Sequence, residues 1–488
     1  MRVLLVQLPH ANRIPSVAPI GIGNISTAMR EAGCETEFLD LLAHDYSREE
    51  VGVYLSKSKW DMIGINAFST QYEWAKWFTT ETRKRQSHAV IVMGGPLPTF
   101  NADTVLQNTP TDICVLGEGE ETIKELVLKL GCLESVAGIT YRTETGRILT
   151  TAPRPYIRDL DSLPFTPYDF FDMDIYFKHV AIGMPNIKTI SMLTSRGCPY
   201  NCNFCSRTFR GARLRSVGKI VEEIGLARDK YGIRGVAFAD ELVLVNKERG
   251  YLLCEQLKPL KIYWQCQGRA NIVDIDLLKA MRDAGCVRVG YGVESGSQKI
   301  LDAMNKKVTV KQNELAVSNT LKAGLLPIVQ MIYGYPGEDM ETISDTVKFF
   351  KRVKFYPALG RGECEISLLT PLPGSPLYSD LMATGKIGDE EQYLLRLDQG
   401  YNPGAPLLMN LTKFIDNELL EKKCWLQDKI KNNYLAYKRM HPAEWFRWYF
   451  RIASACLAME GWLGLAKAVV WYGGRLMGRA LDKIGKAA

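Results

Sequence analysis

Short apolar segments alternate with amphipathic segments over the first 140 residues of the chain. The apolar segments have the length and branched residues of buried strands, and the amphipathic ones have the periodicity of helices. This alternation predicts an α/β domain with a parallel sheet covered on both faces. The predicted strands are residues 2–6, 36–39, 62–66, 90–93 and 113–116. The predicted helices are near residues 22–31, 71–85 and 121–130.

The same alternation returns after a segment at residues 141–185 that is rich in proline and turn-forming residues and is interpreted as a linker. Residues 186–385 then form a second predicted α/β domain with six strand–helix units. Its predicted strands are residues 189–193, 235–239, 262–266, 287–292, 328–333 and 364–369. Its predicted helices include residues 217–231, 274–284, 310–323 and 340–353.

The C-terminal region, residues 386–488, has a helical pattern. Residues 390–440 read as two helices with a turn at 400–404, and residues 441–488 combine aromatic, apolar and basic residues. Glu460 and Lys467 interrupt the apolar run, which falls short of the roughly 18–20 apolar residues of a membrane-spanning helix. Two interpretations stay open for this segment: contact with a membrane surface, or packing on protein.

The amino-acid composition excludes few classes of protein. The chain has 488 residues, 46% of them hydrophobic and 24% charged, which is ordinary for a globular protein of two to four domains. The net charge of +7 is modest and does not by itself indicate a nucleic-acid partner. Twelve cysteines without paired spacing, and an N-terminus that opens directly on a strand, predict a reducing, cytoplasmic location.

Three of the cysteines carry the strongest chemical signal. Cys198, Cys202 and Cys205 have the spacing C-x3-C-x2-C and follow a predicted strand. Three thiolates on one loop can bind three irons of a 4Fe–4S cluster and leave the fourth iron open, whereas electron carriers normally use four cysteines. A zinc site would need a second ligand pair nearby, and a disulfide framework does not fit a long chain with scattered cysteines.

Polar and glycine residues follow the strands of the first domain. Ser69 and Thr70 follow the third strand, Gly94 and Gly95 the fourth, and Glu118 the fifth. Ligands of open parallel sheets lie at the carboxyl ends of the strands, so these residues are candidate contacts. A glycine after a strand is by itself most often only part of a turn.

The cysteine spacing resembles that of the radical S-adenosylmethionine (SAM) enzymes. The first domain, including the segment Ala18-Pro-Ile-Gly-Ile-Gly23 at its first helix, resembles the cobalamin-binding domain that precedes the radical SAM domain in one subclass. This subclass includes class B methylases and the anaerobic magnesium-protoporphyrin ester cyclases. The resemblance covers residues 1 to about 380 and implies a Rossmann-like cobalamin-binding domain, a partial (β/α)6 barrel and a helical C-terminal region.

The resemblance also implies roles for strand-end residues. Cys198, Cys202 and Cys205 would hold the cluster. The other positions are Phe204 near the adenine, Glu241 for the SAM ammonium, Arg269 for its carboxylate, Glu294 for the ribose and Gln330 in the adenine pocket. In the first domain, Ser69, Thr70, Gly94, Gly95 and Glu118 would contact cobalamin.

One departure concerns cobalt. The histidine of the Asp-x-His-x-x-Gly motif ligates cobalt in many cobalamin domains, but His10 has no aspartate two residues before it. The expected cobalamin therefore has no histidine ligand. A Rossmann-like domain that has lost the cofactor is the alternative.

The implied chemistry is reductive cleavage of SAM to a 5′-deoxyadenosyl radical, hydrogen abstraction from an unactivated carbon, and methyl transfer from methylcobalamin, which a second SAM remethylates. The resemblance favours a C-methyltransferase that acts on a small-molecule, lipid or pigment substrate. It also implies an electron donor such as flavodoxin or ferredoxin, no nucleic-acid partner, and peripheral membrane contact through residues 441–488 as one option. The alternatives are an oxidative cyclase, a tRNA methylthiotransferase and a cofactor-binding sensor.

Overall fold

The structure is a computed structural model that describes residues 1–10, 17–178, 187–355, 364–400 and 407–440. Its strands are β1 Arg2–Gln7, β2 Glu35–Asp40, β3 Met62–Asn66, β4 Val90–Gly94, β5 Ile113–Val115, β6 Ile139–Arg142, β7 Ile148–Thr150, β8 Thr189–Met192, β9 Ser195–Arg196, β10 Arg213–Leu214, β11 Gly235–Phe238, β12 Tyr263–Gly268, β13 Cys286–Glu294, β14 Leu326–Tyr333 and β15 Cys364–Leu368. Its helices are α1 Ile20–Glu31, α2 Arg48–Ser56, α3 Tyr72–Arg85, α4 Pro96–Asn108, α5 Glu120–Leu128, α6 Met173–Lys178, α7 Val217–Tyr231, α8 Lys247–Leu257, α9 Ile275–Asp283, α10 Gln298–Ala303, α11 Val310–Ala323, α12 Met340–Val353, α13 Pro376–Ala383, α14 Glu390–Gly400 and α15 Asp416–Met440.

The first sheet has seven strands in the order β2-β1-β3-β4-β5-β6-β7. Strands β1 to β5 are parallel, and the β6–β7 hairpin joins the β5 edge antiparallel. Successive side chains of a strand point to opposite faces, so Val3 and Leu5 belong to one apolar core, whereas Leu4 and Val6 belong to the other. The predicted doubly covered parallel sheet is confirmed.

The hairpin lies partly within residues 141–185, the predicted linker, because β7 pairs with β6 on the edge of the first sheet. The proposed domain limits themselves stay a prediction. Helix α4 was missed because Gly95-Pro96-Leu97-Pro98 reads as a turn, and Asn101 inside the helix departs from helical geometry with φ −133° and ψ 37°.

The second sheet has six parallel strands in the order β15-β14-β13-β12-β11-β8. All six were predicted to within three residues at each end. Helices α7, α11 and α12 have the predicted bounds because side-chain caps mark their starts: Ser216, Thr309 and Asp339 each accept a hydrogen bond from the first turn. Strand β14 alternates buried and half-buried residues, so one face packs on helices and the other faces a cleft.

The C-terminal region joins the two domains. Glu391 at the start of α14 accepts hydrogen bonds from Tyr72 Oη (2.9 Å) and Lys76 Nζ (2.6 Å) of α3. Leu394 is fully buried in the first-domain core, and Leu419 of α15 is buried in the second-domain core. The two predicted C-terminal helices are confirmed, while the turn between them and residues 441–488 lie outside the described residues.

Among the helices within the described ranges, none is both long enough and apolar enough to pass through a bilayer.

Candidate active site

The cysteine loop begins directly after the hairpin strand β9. Gly197, with φ +79°, turns the chain from Arg196 into Cys198. A Cβ atom on Gly197 would lie 2.3 Å from the carbonyl oxygen of Gly211 on the neighbouring segment. Only glycine therefore fits here, both for its backbone conformation and for the space available.

The three cysteines lie close enough to influence one another. Cys202 is buried, and Cys198 and Cys205 are partly buried. Burial raises the pKa of Cys205 to about 12, and the negative charges of Glu241 and the other two cysteines add to the shift. The Cys205 sulfur is therefore a protonated thiol unless a cation binds it.

The three cysteines of the loop supply the number of thiolates that a 4Fe–4S cluster with one open iron takes. In the part of the chain that the structure describes, no three His, Cys, Asp or Glu side chains converge as the ligands of one metal ion do. A 4Fe–4S cluster takes one thiolate per iron, so its donor sulfurs need not meet at one point. Three neighbouring thiols on one loop fit that requirement.

Hydrogen bonds hold the cysteine loop on two sides. On one side, Asn203 N donates to Met304 O (2.9 Å) and Asn203 Nδ2 to Ala303 O (3.0 Å), both at the end of α10. On the other side, the Ser206 hydroxyl donates to Pro373 O (2.6 Å). The loop is thus held both by the end of α10 and by the segment after β15.

Asp240 and Glu241 follow β11 but have different environments. Asp240 is buried and accepts hydrogen bonds from Thr194 N (2.6 Å) and the Ser195 hydroxyl (2.7 Å). Burial raises the pKa of Asp240 to about 6, although the hydrogen bonds from Ser195 and Thr194 act in the opposite direction. Asp240 therefore joins β11 to the start of the cysteine loop, and the exposed Glu241 is left to approach a ligand.

Arg269 lies against the cysteine loop. Its guanidinium carbon is 3.4 Å from the centroid of the Tyr200 ring, and one terminal nitrogen donates to the Lys306 carbonyl. Its Nε is buried and has no hydrogen-bond partner. A buried unpaired donor next to the loop is suited to an anionic ligand such as a carboxylate.

Glu294 ends β13 with φ +62°, an uncommon conformation for a residue with a side chain. Its Oε1 is 2.6 Å from Lys306 Nζ, and both side chains are buried. Lys306 Nζ is in turn 5.6 Å from the centroid of the Phe204 ring. A Cβ on Gly292 would lie 2.2 Å from Glu294 Oε1, so this glycine makes room for the carboxylate.

Lys306 was not predicted as a site residue. It lies in the turn after α10, where Asn305 and Lys307 both have positive φ, and no sequence motif marks it. Gln330 lies on β14 in register with Gly292 of β13 and Glu365 of β15. It is half-buried, on the face of the sheet that faces the cleft.

The first sheet places its candidate residues along one edge. The strand order 2-1-3-4-5 has its topological switch point between β1 and β3, where ligands of such sheets bind. Ser69 and Thr70 directly follow β3 at this point, and the His10 ring lies 5.5 Å from the Phe68 ring across it. Gly94 and Gly95 lie one strand further along.

Gly95 has a structural reason to be glycine. It has φ +96°, and a Cβ there would lie 2.6 Å from Asn66 Oδ1. Glu118 also has protein partners for both carboxylate oxygens: Oε1 is 2.6 Å from Arg196 Nη1, and Oε2 is 2.7 Å from Ile157 N. Its predicted contact with cobalamin stays a prediction.

The ion pair between Glu118 and Arg196 has a geometric consequence. Glu118 follows β5 of the first sheet. Arg196 is the last residue of β9, which follows β8 of the second sheet, and it lies two residues before Cys198. The carboxyl edges of the two sheets therefore lie against each other. Ligands bound at these two edges would share one cleft.

Gly197→Ala is expected to remove the cluster from most of the protein. The added Cβ would meet Gly211 O, and left-handed backbone at alanine costs about 1–2 kcal/mol, so Cys198 must move. Iron and sulfide content per chain measures the loss. Gly218→Ala is the control, since its Cβ meets no atom within 4 Å. Full iron content in Gly197→Ala would show that cluster binding does not require glycine at this position.

Glu338 gives a pH-dependent prediction. It lies in the loop after β14 and is 5% exposed, and burial raises its pKa to about 7. Its folded pKa is above the unfolded one, so its contribution to stability is complete below pH 4.5 and is lost as the pH rises through about 7. Relative to the Glu338→Gln variant, the free energy of unfolding of the native protein should fall by about 2–3 kcal/mol between pH 4.5 and pH 7.

Urea unfolding followed by circular dichroism at several pH values measures this difference. Glu341→Gln is the matched control, because Glu341 lies three residues further on and is exposed. If the free energies of unfolding of the native protein and of Glu338→Gln change equally from pH 4.5 to 8, the raised pKa of Glu338 is refuted.

Comparison with known families agrees with this arrangement. The family model described as the radical SAM superfamily matches residues 192–350, and the one described as the B12 binding domain matches residues 11–127. The first range contains the cysteine loop and strands β11 to β14. The second contains the parallel strands β2 to β5.

Individual relatives and solved structures are similar as well. An uncharacterized methyltransferase of Pyrococcus horikoshii is 32% identical over 78% of this chain and 83% of its own length. An anaerobic magnesium-protoporphyrin IX monomethyl ester cyclase of Rubrivivax gelatinosus is 27% identical over 89% and 81%, respectively. The structure of the radical SAM methyltransferase TsrM of Kitasatospora setae, with cobalamin and a 4Fe–4S cluster bound, matches with a TM-score of 0.65 at 19% identity and covers 78% of each chain. The similarity to the TsrM structure shows a shared fold.

Proposed function

The chain belongs to the radical SAM enzymes that carry a cobalamin-binding domain, and from this premise we propose that it transfers a methyl group to an unactivated carbon of a small molecule. Enzymes of this family use a 4Fe–4S cluster, SAM and cobalamin. Methyl transfer is favoured over other outcomes because the relative at 32% identity is named a methyltransferase.

The observation that carries the proposal is the contact between the two carboxyl edges. Glu118 of the first domain lies 2.6 Å from Arg196, two residues before the first cluster cysteine. Cofactors at the two edges would therefore face one cleft, as a transfer from one to a substrate activated by the other requires.

The chain's own residues would have distinct tasks in this cleft. Cys198, Cys202 and Cys205 would hold three irons and leave the fourth to SAM. The unpaired Nε of Arg269 would bind the SAM carboxylate, and Glu241 its ammonium. When bound, the cofactors supply a 5′-deoxyadenosyl radical and a methyl group. The neighbouring side chains orient SAM and exclude water from the radical.

A second candidate is the oxidative cyclase reaction. It is favoured by the cyclase relative, which covers 89% of this chain. In that reaction the substrate radical would give one electron to a one-electron acceptor, and the resulting cation would add water and release a proton, so no methyl group would be transferred.

The nucleosides formed from SAM separate these candidates. Anaerobic protein with reductant, cobalamin, SAM and a cell extract is expected to form 5′-deoxyadenosine together with S-adenosylhomocysteine. 5′-Deoxyadenosine alone would favour the cyclase reaction. The absence of both under strong reductant would refute an enzymatic role and favour a cofactor-binding sensor.

The partners belong to the same proposal. The substrate is proposed to be a small molecule, which includes lipids and pigments, and the electron donor a flavodoxin or ferredoxin. Nucleic acid is not proposed as a partner, since the net charge of +7 is modest. The aromatic and basic residues at 441–488 support contact with the inner face of the membrane by a cytoplasmic protein.

A further inference from the structure

Four charged side chains form a network between the two domains. Glu118 and Glu120 come from the loop after β5 and the start of α5, and Arg196 and Arg213 are paired residues of the β9–β10 hairpin. Arg196 Nη1 is 2.6 Å from Glu118 Oε1, and its Nη2 is 2.5 Å from Glu120 Oε1. Arg213 Nη1 is 2.8 Å from Glu118 Oε1.

The network is shielded from water. The side chains of Glu118 and Glu120 are 3% and 9% exposed, and those of Arg196 and Arg213 are 13% and 15% exposed. Burial is the largest single influence on the pKa of Glu120 and acts to raise it, but the charge of Arg196 and the hydrogen bonds to the carboxylate together outweigh burial, so the net pKa is lowered. Such ion pairs are screened little by salt and are sensitive to the loss of one partner.

Aromatic packing fixes the second arginine of the network. The Arg213 guanidinium lies 4.7 Å from the Tyr156 ring centroid and 5.6 Å from that of Phe209. Tyr156 belongs to the segment after β7, and Phe209 to the cysteine loop region. Arg213 also donates to Ile157 O (2.6 Å), so the connecting segment is part of the same contact.

One end of the network is attached to tightly packed backbone. Gly197 separates Arg196 from Cys198, and a Cβ there would lie 2.3 Å from the carbonyl oxygen of Gly211. A displacement of Arg196 is therefore passed to the first cysteine through a backbone that has little room to adjust.

We propose that Arg196, held by Glu118 and Glu120, positions the cysteine loop relative to the cobalamin-binding domain and so sets the distance between the two cofactors. These are positioning residues, because they act through Cys198 and the loop after β5. The planar guanidinium bonds the two carboxylates through separate nitrogens in a fixed geometry, whereas a lysine would offer a single nitrogen on a flexible stem. Cofactor separation is thus a property of four side chains in the contact between domains.

The test is a distance measurement between the cofactors in the full-length protein. After partial reduction, cob(II)alamin and the reduced cluster are both paramagnetic, and their magnetic coupling by electron paramagnetic resonance reports their separation. The double variant Glu118→Gln/Glu120→Gln keeps the shape of both side chains and removes their charge. A shifted and broader distance distribution is expected in the protein molecules that have both cofactors bound, with the iron content retained.

A matched control comes from the second domain. Arg215 and Glu223 form a buried pair at 2.5 Å, with side chains 9% and 2% exposed, and both belong to the second domain. Glu223→Gln therefore removes a similar buried pair and is expected to leave the distance unchanged. Arg196→Lys is the second variant, and it should shift the distance while keeping the positive charge.

The outcomes are decisive in either direction. A distance that is unchanged in both the double variant and Arg196→Lys would overturn the proposal and leave the network with a role in stability alone. The measurement needs no substrate, so it is independent of the proposed methyl transfer. If methyl transfer also holds, the ratio of 5′-deoxyadenosine to S-adenosylhomocysteine should rise about tenfold or more in the double variant, because small misplacements of reacting groups reduce rates strongly.

Discussion

Cys202→Ala is expected to abolish cluster binding and, with it, all reductive cleavage of SAM. Cys202 is the middle cysteine of the loop and the most buried of the three, at 7% exposure. Its loss leaves two thiolates where three irons need one each, and no other cysteine lies in the loop to replace it. Iron content, visible absorption and 5′-deoxyadenosine formation should all fall to background.

A second buried cysteine provides the control for this prediction. Cys254 of α8 is 5% exposed and lies in the second-domain core, away from the loop. Cys254→Ala removes a buried thiol of the same size and should cost stability without affecting iron content. SAM cleavage retained in Cys202→Ala would refute the cluster assignment.

Glu294→Gln is expected to weaken SAM binding while the cluster remains. The side chain lies at the carboxyl end of β13, linked through Lys306 to Phe204 of the cysteine loop. A hydrogen bond to a charged group contributes about 1.5–3 kcal/mol, so the Kd for SAM should rise roughly 10- to 100-fold. Equilibrium binding of SAM to the cluster-loaded protein measures the change.

The Glu294→Gln variant also breaks the ion pair with Lys306, so a second variant is needed to separate the effect on stability from the effect on SAM binding. Glu294→Gln leaves Lys306 buried without its counter-charge, which costs about 3–5 kcal/mol of stability. Glu294→Gln/Lys306→Met removes both charges and should recover stability but not SAM affinity. Unchanged SAM affinity in the single variant would exclude Glu294 from the site.

The fold could be predicted from the sequence because its signals are local. Strand β3 and helices α7, α11 and α12 have the predicted bounds, since apolar runs and capping residues lie next to each other in the chain. The cysteine loop is equally local, with three cysteines in eight residues. The resemblance to the radical SAM enzymes added the prediction that separate strand-end residues form one site.

The parts that were missed depend on contacts between distant segments. Lys306 reaches Glu294 only through the turn after α10, and Glu118 meets Arg196 at a sequence separation of 78 residues. Glu391 packs on α3 from a separation of 319 residues. Lys306, Arg196 and Glu391 look like ordinary exposed charges in the sequence, because charged residues are mostly exposed.

The transfer of a labelled methyl group tests the central claim most directly. Anaerobic, reconstituted protein with cobalamin, reductant, trideuteromethyl-SAM and a lipid-plus-pigment extract of the source cells would be analysed by mass spectrometry. The account predicts a product that carries the trideuteromethyl group and that is absent with Cys202→Ala. An unlabelled product that has lost hydrogen or gained oxygen would contradict methyl transfer and identify the cyclase reaction.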